Sequence, residues 1–276
     1  YSCQFGNITT SGFVGEVAWG APYLLTGGIV MVIVIAIAVA AGLMGVAVTD
    51  MMMFFFLGIA VAITVPIQWN AMGGWNAVAE ALADKPQLLD PLGGLTLTQA
   101  MFFMIIALTV YADPAFYQRF SASDSLKAGR RAMLTCILIW AVMDAVLVST
   151  GMMVDVLKPD MAPGTGYVAL VLGSLPTGLR ALFVVALIGS AISALDSYLL
   201  CGGTLFAYDI YGKLRKNPSE KELLLLTRVS IVALGLIGLA VAFKFTVAMD
   251  LFGLVSAIWA AGGVIPVAGA LIYKGR

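Results

Sequence analysis

The chain has 276 residues, of which 61% are hydrophobic and 11% charged, and its formal net charge is zero. A soluble globular protein carries about a quarter charged residues and needs that polar surface to cover its core, so this composition excludes a soluble domain and makes lipid the solvent. The balanced charge leaves no footprint for nucleic acid, and the absence of histidine removes imidazole catalysis, imidazole proton relays and His-based metal sites.

A membrane-spanning helix needs about 20 mainly apolar residues. On that criterion the sequence predicts seven spans, at 22–42, 51–69, 97–117, 132–154, 178–205, 222–244 and 251–273. No basic stretch precedes the first span and no small-residue cleavage site follows it, so it is not a signal peptide. Ahead of it, Asn7-Ile8-Thr9 fits a glycosylation sequon. A start at Tyr1, without an initiator methionine and with little soluble lead-in, reads as the interior of a longer chain.

Loop charges set the expected orientation. Arg119, Lys127, Arg130 and Arg131 lie after the third span, Lys213, Arg215, Lys216 and Lys221 after the fifth, and Lys274 and Arg276 after the seventh. The opposite side carries only Lys85, Lys158, Arg180 and Lys244, each alone. The positive-inside rule therefore predicts a multi-pass protein of the plasma or inner membrane, N-terminus outside and C-terminus cytoplasmic. The outer loops 70–96 and 155–177 contain turn residues such as Gly73-Gly74, Pro91, Gly93-Gly94, Pro159 and Pro163-Gly164, with room for short interfacial helices. Cys3, Cys136 and Cys201 lie too far apart for a zinc motif or a disulfide framework, so Cys136 and Cys201 read as packing residues.

Ionisable groups at membrane depth are costly and mark functional candidates. Asp144 falls in the middle of the fourth span and Asp196 inside the fifth; Asp113, beside Pro114, ends the third, and Asp50 opens the second. Each either pairs with internal hydroxyls and backbone or serves an ion, proton or solute pathway. In the fifth span Ser190, Ser193 and Ser197 recur at spacings of three and four, one stripe that Ala186 extends. Two readings stay open for it: small residues let helices approach closely, and hydroxyl oxygens suit a small hard cation.

Several stretches resemble the sodium:solute symporter family. They are Gly42 to Asp50 (GLMGVAVTD), similar to its glycine-rich turn ending in Thr-Asp, and Asp113 to Ala132 (DPAFYQRFSASDSLKAGRRA), similar to its Gln-Arg motif and basic loop. The strongest is Leu175 to Tyr211 (LPTGLRALFVVALIGSAISALDSYLLCGGTLFAYDIY), with the Leu-Pro-x-Gly-Leu-Arg entry, the Ser-rich helix and the closing Asp-Ile-Tyr. Gly253, Trp259 and Gly262-Gly263 match more weakly.

The resemblance implies an all-α integral membrane protein, part of a leucine-transporter-type five-plus-five inverted repeat. A single transmembrane domain would cover 1–276, with 1–69 ending the first repeat and 97–276 forming the second. The first core helices of the same chain, among them the broken helix that shares the substrate and cation sites, would be missing partners. The resemblance further implies sodium-coupled symport of a small organic solute by alternating access, with no cofactor other than the sodium ion. Ser193 matches the family's sodium-binding hydroxyl, Ser190 stands where an alanine often offers its carbonyl, and Ala194 stands where many members have a second Ser or Thr. Ser190 or Ser197 would substitute for that lost oxygen, and Asp50 matches an acid near the cytoplasmic exit. Met53 replaces the usual Gln. Ile106 and Thr109 line the third span with less polarity than sugar carriers have, and Asp113-Pro114 is nearer the proline carriers, so the expected solute is an amino acid or small carboxylate. The competing readings are a proton-coupled transporter using Asp144 or Asp196, and a symporter-like sensor. A membrane enzyme is set aside because no nucleophile–base pair is present.

Overall fold

A computed structural model describes residues 2–86, 90, 92–107, 113–157, 160, 163–244 and 258–273. Among the described residues every regular element is a helix. An apolar chain in lipid has no water for its backbone, and a helix satisfies those groups within one segment.

Among the described residues, four helical segments are long and apolar enough to cross a membrane: Tyr23–Ala71, Leu126–Leu157, Thr177–Leu214 and Glu220–Lys244. The first (α2) is two helices in one, because Gly42 interrupts it at φ 58°, ψ −159°. Only glycine enters that backbone region readily. The first predicted span therefore ends where expected, but its successor starts at once. Residues 43–50, expected as a turn, are helical, so Thr49 and Asp50 sit within a helix and do not open one.

The other elements refine the predicted spans. The helix α1 (Ser2–Trp19) precedes the first of them and contains Asn7-Ile8-Thr9, so the sequon lies in a helix and not in a loop. The loops 70–96 and 155–177 hold α3 (Gly74–Ala81) and α7 (Pro163–Ser174), the two short helices they had room for. The third span begins as α4 (Leu97–Ala107), and residues 108–112, with Thr109, lie outside the described residues. It does not run on to 117. Asp113 is extended (φ −74°, ψ 115°) and caps a new helix, α5 (Pro114–Ser121), whose first residue is the proline. Proline suits that position because its missing N–H would be unbonded there anyway. The fourth span becomes α6 (Leu126–Leu157). The fifth, α8 (Thr177–Thr204), continues through a π-helical stretch, Leu205–Tyr211, into α9 (Gly212–Leu214). The sixth is α10 (Glu220–Lys244). Of the seventh, 251–257 lie outside the described residues; a π-helical stretch, Ala260–Val264, leads into α11 (Ile265–Ile272).

The chain divides into two compact units, one of residues 1–59 and 181–258, the other of 60–180 and 259–276. In the first, Val30, Met31, Val34 and Ala38 recur along α2 and pack with Leu195 and Leu199 of α8, Ile231 of α10 and Ile8 of α1. Their spacing of three and four keeps one face of each helix inward. In the second unit Met72, Val78, Leu82, Met153, Val154 and Leu170 form the core. Polar pairs accompany them there. Thr64 Oγ1 lies 3.3 Å from the Tyr167 hydroxyl, Gln68 Nε2 donates to Ser174 Oγ at 2.5 Å, and Lys85 pairs with Asp155 at 3.0 Å. Burial raises the Tyr167 phenol above its ordinary pKa, although the Thr64 contact pulls the other way.

Candidate functional site

Within the first unit, the helix that follows Gly42 and the middle of α8 bring distant polar residues together. Ser193 Oγ donates to Asp50 Oδ1 at 2.5 Å, across a sequence separation of 143 residues. Ser197 Oγ lies 3.5 Å and 3.4 Å from the two Asp50 oxygens and 3.4 Å from Asp196 Oδ1. Its strongest contact is the 2.8 Å bond to the Ser193 carbonyl, one turn back. Thr49 Oγ1 bonds the Val46 carbonyl at 2.8 Å and reaches Asp196 Oδ2 at 3.1 Å. Hydroxyls in apolar helices bond their own backbone this way, which fixes their rotamers and aims their lone pairs outward.

The cluster is made of oxygen alone: two carboxylates, three hydroxyls and the Ser193 carbonyl. Asp196 is fully buried, at 0% exposure, and among the described residues no Lys or Arg forms an ion pair with it. A buried carboxyl of this kind is compensated by hydroxyl donors, by a proton or by a bound cation. Hard cations such as sodium take oxygen ligands, so the donor set fits one.

Close helix contact makes the cluster possible. Gly189 of α8 lies against the Met53 thioether, and a Cβ there would overlap the sulfur. The facing stripe is thus Gly189, Ser193 and Ser197. Ser190 is half-buried and makes no side-chain hydrogen bond among the described residues, and Ala194 is half-buried with no oxygen to offer beyond its backbone. The expected ligands Asp50, Ser193 and Ser197 are brought together; Ser190 is not.

The remaining pathway candidates divide. Asp196 joins the cluster through Thr49 and Ser197. Asp144 lies in the other unit with its side chain exposed on α6. Asp113 accepts a hydrogen bond from the Ala115 N–H at 2.8 Å, the geometry of a helix N-cap. Thr109 is outside the described residues. Thr49 is the participant that sequence reasoning passed over. Its signal was its place beside Asp50, a polar pair in an otherwise apolar run.

A glycine-broken helix and long apolar helical segments around a buried polar cluster define a polytopic, all-helical membrane protein. The chain belongs to the sodium:solute symporter family, whose model matches residues 7–272. Sodium/glucose cotransporter 1 of Sus scrofa is 40% identical to it over 77 residues, 28% of this chain and 11% of that protein. Sodium/myo-inositol cotransporter 2 of Oryctolagus cuniculus is 29% identical over 143 residues, 45% of this chain and 21% of that protein. A solved structure of a Na+-coupled sialic acid symporter, substrate-bound and outward-open, aligns at a TM-score of 0.76 and 19% identity. That alignment covers 93% of this chain and 59% of the symporter, so this chain spans about three fifths of it. The shared fold is the leucine-transporter type.

Proposed function

We propose that this chain carries the cation-binding part of a sodium-coupled symporter, which moves a small organic solute by alternating access. The observation that carries the reading is the contact of Asp50 with Ser193 and Ser197, acid and hydroxyls from two helices meeting in a buried apolar setting. Sodium is the coupling ion and cargo; Asp50, Ser193 and Ser197 are its ligands, and Thr49 orients Asp196 beside them. A cation held between the two helices stabilises the state in which they are close. It drives transport only by binding that state more tightly than the other. Ala194 supplies no hydroxyl, and Ser197 takes over that role.

On this reading 1–69 ends the first repeat and 97–276 forms the second, with the N-terminus outside and the C-terminus cytoplasmic. The solute belongs to the amino acids or small carboxylates. Family membership, the cotransporter relatives and the oxygen-only donor set support the reading together.

The test uses the complete protein in proteoliposomes, with labelled proline and a small solute panel, under an inward sodium gradient, an inward proton gradient or none. Sodium-driven accumulation is expected. The Ser193→Ala variant should need roughly tenfold more sodium for half-maximal uptake, the effect of losing a charge-assisted contact of about 1.5 kcal/mol. An unchanged sodium dependence removes Ser193 from the site. Proton-driven uptake would move coupling to Asp196, and solute binding without uptake under any gradient would favour a sensor.

A further inference from the structure

The first turns of α6 carry Lys127, Arg130 and Arg131, three cations within five residues of a chain that is only 11% charged. All three side chains are exposed, and among the described residues none forms an ion pair or a side-chain hydrogen bond. The neighbouring carboxylate, Asp124, is exposed and pairs with none of them. Leu126 and Leu134, 68% and 60% exposed, flank these three residues on the surface of the same helix. The positions 127, 130, 131 and 134 share one face of the helix.

That face continues as an apolar ridge. Leu134, Leu138 and Val142 follow at intervals of four and are 60%, 70% and 66% exposed. From Arg131 to Val142 the helix rises about 16 Å at 1.5 Å per residue. One leaflet is about half of the roughly 30 Å hydrocarbon core. Cations at one end and an apolar track one leaflet long match the two parts of a phospholipid. Helix stability does not explain the cations, because positive charge in a first turn opposes the helix dipole. A soluble anion would use the charges and leave the ridge without a role.

We propose that this face of α6 is a binding site for an anionic phospholipid, its headgroup on Lys127, Arg130 and Arg131 and an acyl chain along Leu134, Leu138 and Val142. Juxtamembrane basic clusters recognise anionic lipid by the same electrostatics. The site is independent of the proposed transport cycle.

The test places the complete protein in nanodiscs with equal phosphatidylglycerol and phosphatidylcholine and identifies, by native mass spectrometry, the lipids that stay bound after release. Retention of phosphatidylglycerol over phosphatidylcholine is expected. The triple variant Lys127→Gln, Arg130→Gln, Arg131→Gln should lower that preference tenfold or more, roughly fivefold per cation removed. The control Lys213→Gln, Lys216→Gln should leave it unchanged, and Arg130→Lys, Arg131→Lys should preserve it, which separates charge from folding. Equal retention of both lipids by the natural protein, an undiminished preference in the triple variant, or an equal loss in the control overturns the proposal. So does displacement of the lipid by millimolar inorganic phosphate, which would make the ligand a soluble anion.

Discussion

Gln68 and Ser174 make an unequal pair. Gln68 is 1% exposed, and its Nε2 donates to Ser174 while its Oε1 has no partner among the described residues. Ser174 also bonds the Leu170 carbonyl at 2.9 Å, so it keeps a partner when the glutamine is gone. Replacing Gln68 with Leu removes an acceptor that is already unsatisfied and should change stability by less than about 1 kcal/mol. Replacing Ser174 with Ala strands the whole buried amide and should cost about 1–3 kcal/mol. Thermal unfolding in one detergent checks both, and equal losses would show that packing governs the site. Gly189 gives a second contrast. A methyl group there meets the Met53 sulfur, so Gly189→Ala should cost about 1–3 kcal/mol, and adding Met53→Ala should recover much of it. If the double variant is the weaker protein, the clash is not what limits this contact.

At the scale of the element, the break in α2 decides where the site can form. Gly42 at φ 58°, ψ −159° lets two helices follow each other with no loop between them, and the second one carries Thr49, Asp50 and Met53 towards α8. Any side chain at that backbone geometry is strained, so Gly42→Ala should cost about 1–3 kcal/mol and weaken sodium dependence with it. A variant with natural stability and natural sodium dependence would show that α2 tolerates another bend. The predicted first span ends at Gly42, where the break falls, although the apolar run itself continues to Val48 and so does not mark it. Hydropathy could not show that the helix resumes immediately. Gly42, Gly45 and the Thr-Asp pair carry the composition of a turn, whereas in the fold the segment is helical and packs Leu43 and Val46 into the core of the first unit. Asp113 misled in the opposite sense: in a long apolar run it read as the end of a span, whereas Asp-Pro is also the signature of a helix start.

For the molecule as a whole, composition alone made the helical membrane class legible, and resemblance and stripe together picked out Asp50, Ser193 and Ser197, but they set Asp50 apart near an exit and did not show that it meets the two serines. The stripe by itself was ambiguous, since Ser190 fits the same spacing as Ser193 and only the rotation of α8 against α2 separates them. The helix α1 escaped because Gln4, Asn7, Thr9, Thr10 and Glu16 dilute its hydropathy, although Ile8 and Val14 are each 1% exposed in the packed protein. Orientation rests on loop charge and is open to direct measurement. In a background with Cys3, Cys136 and Cys201 replaced, single cysteines at Asp84, Asp124 and Lys216 report the loops after α3, α5 and α9, all exposed positions. The positive-inside rule predicts that a membrane-impermeant maleimide labels Asp84→Cys on intact cells and reaches the other two only after permeabilisation. Labelling of Asp124→Cys and Lys216→Cys alone would invert the whole protein and leave the helix pairing intact. Labelling of Asp84→Cys with only one of those two would break the parity of α6 and α8, because two crossings must return the chain to the side it left.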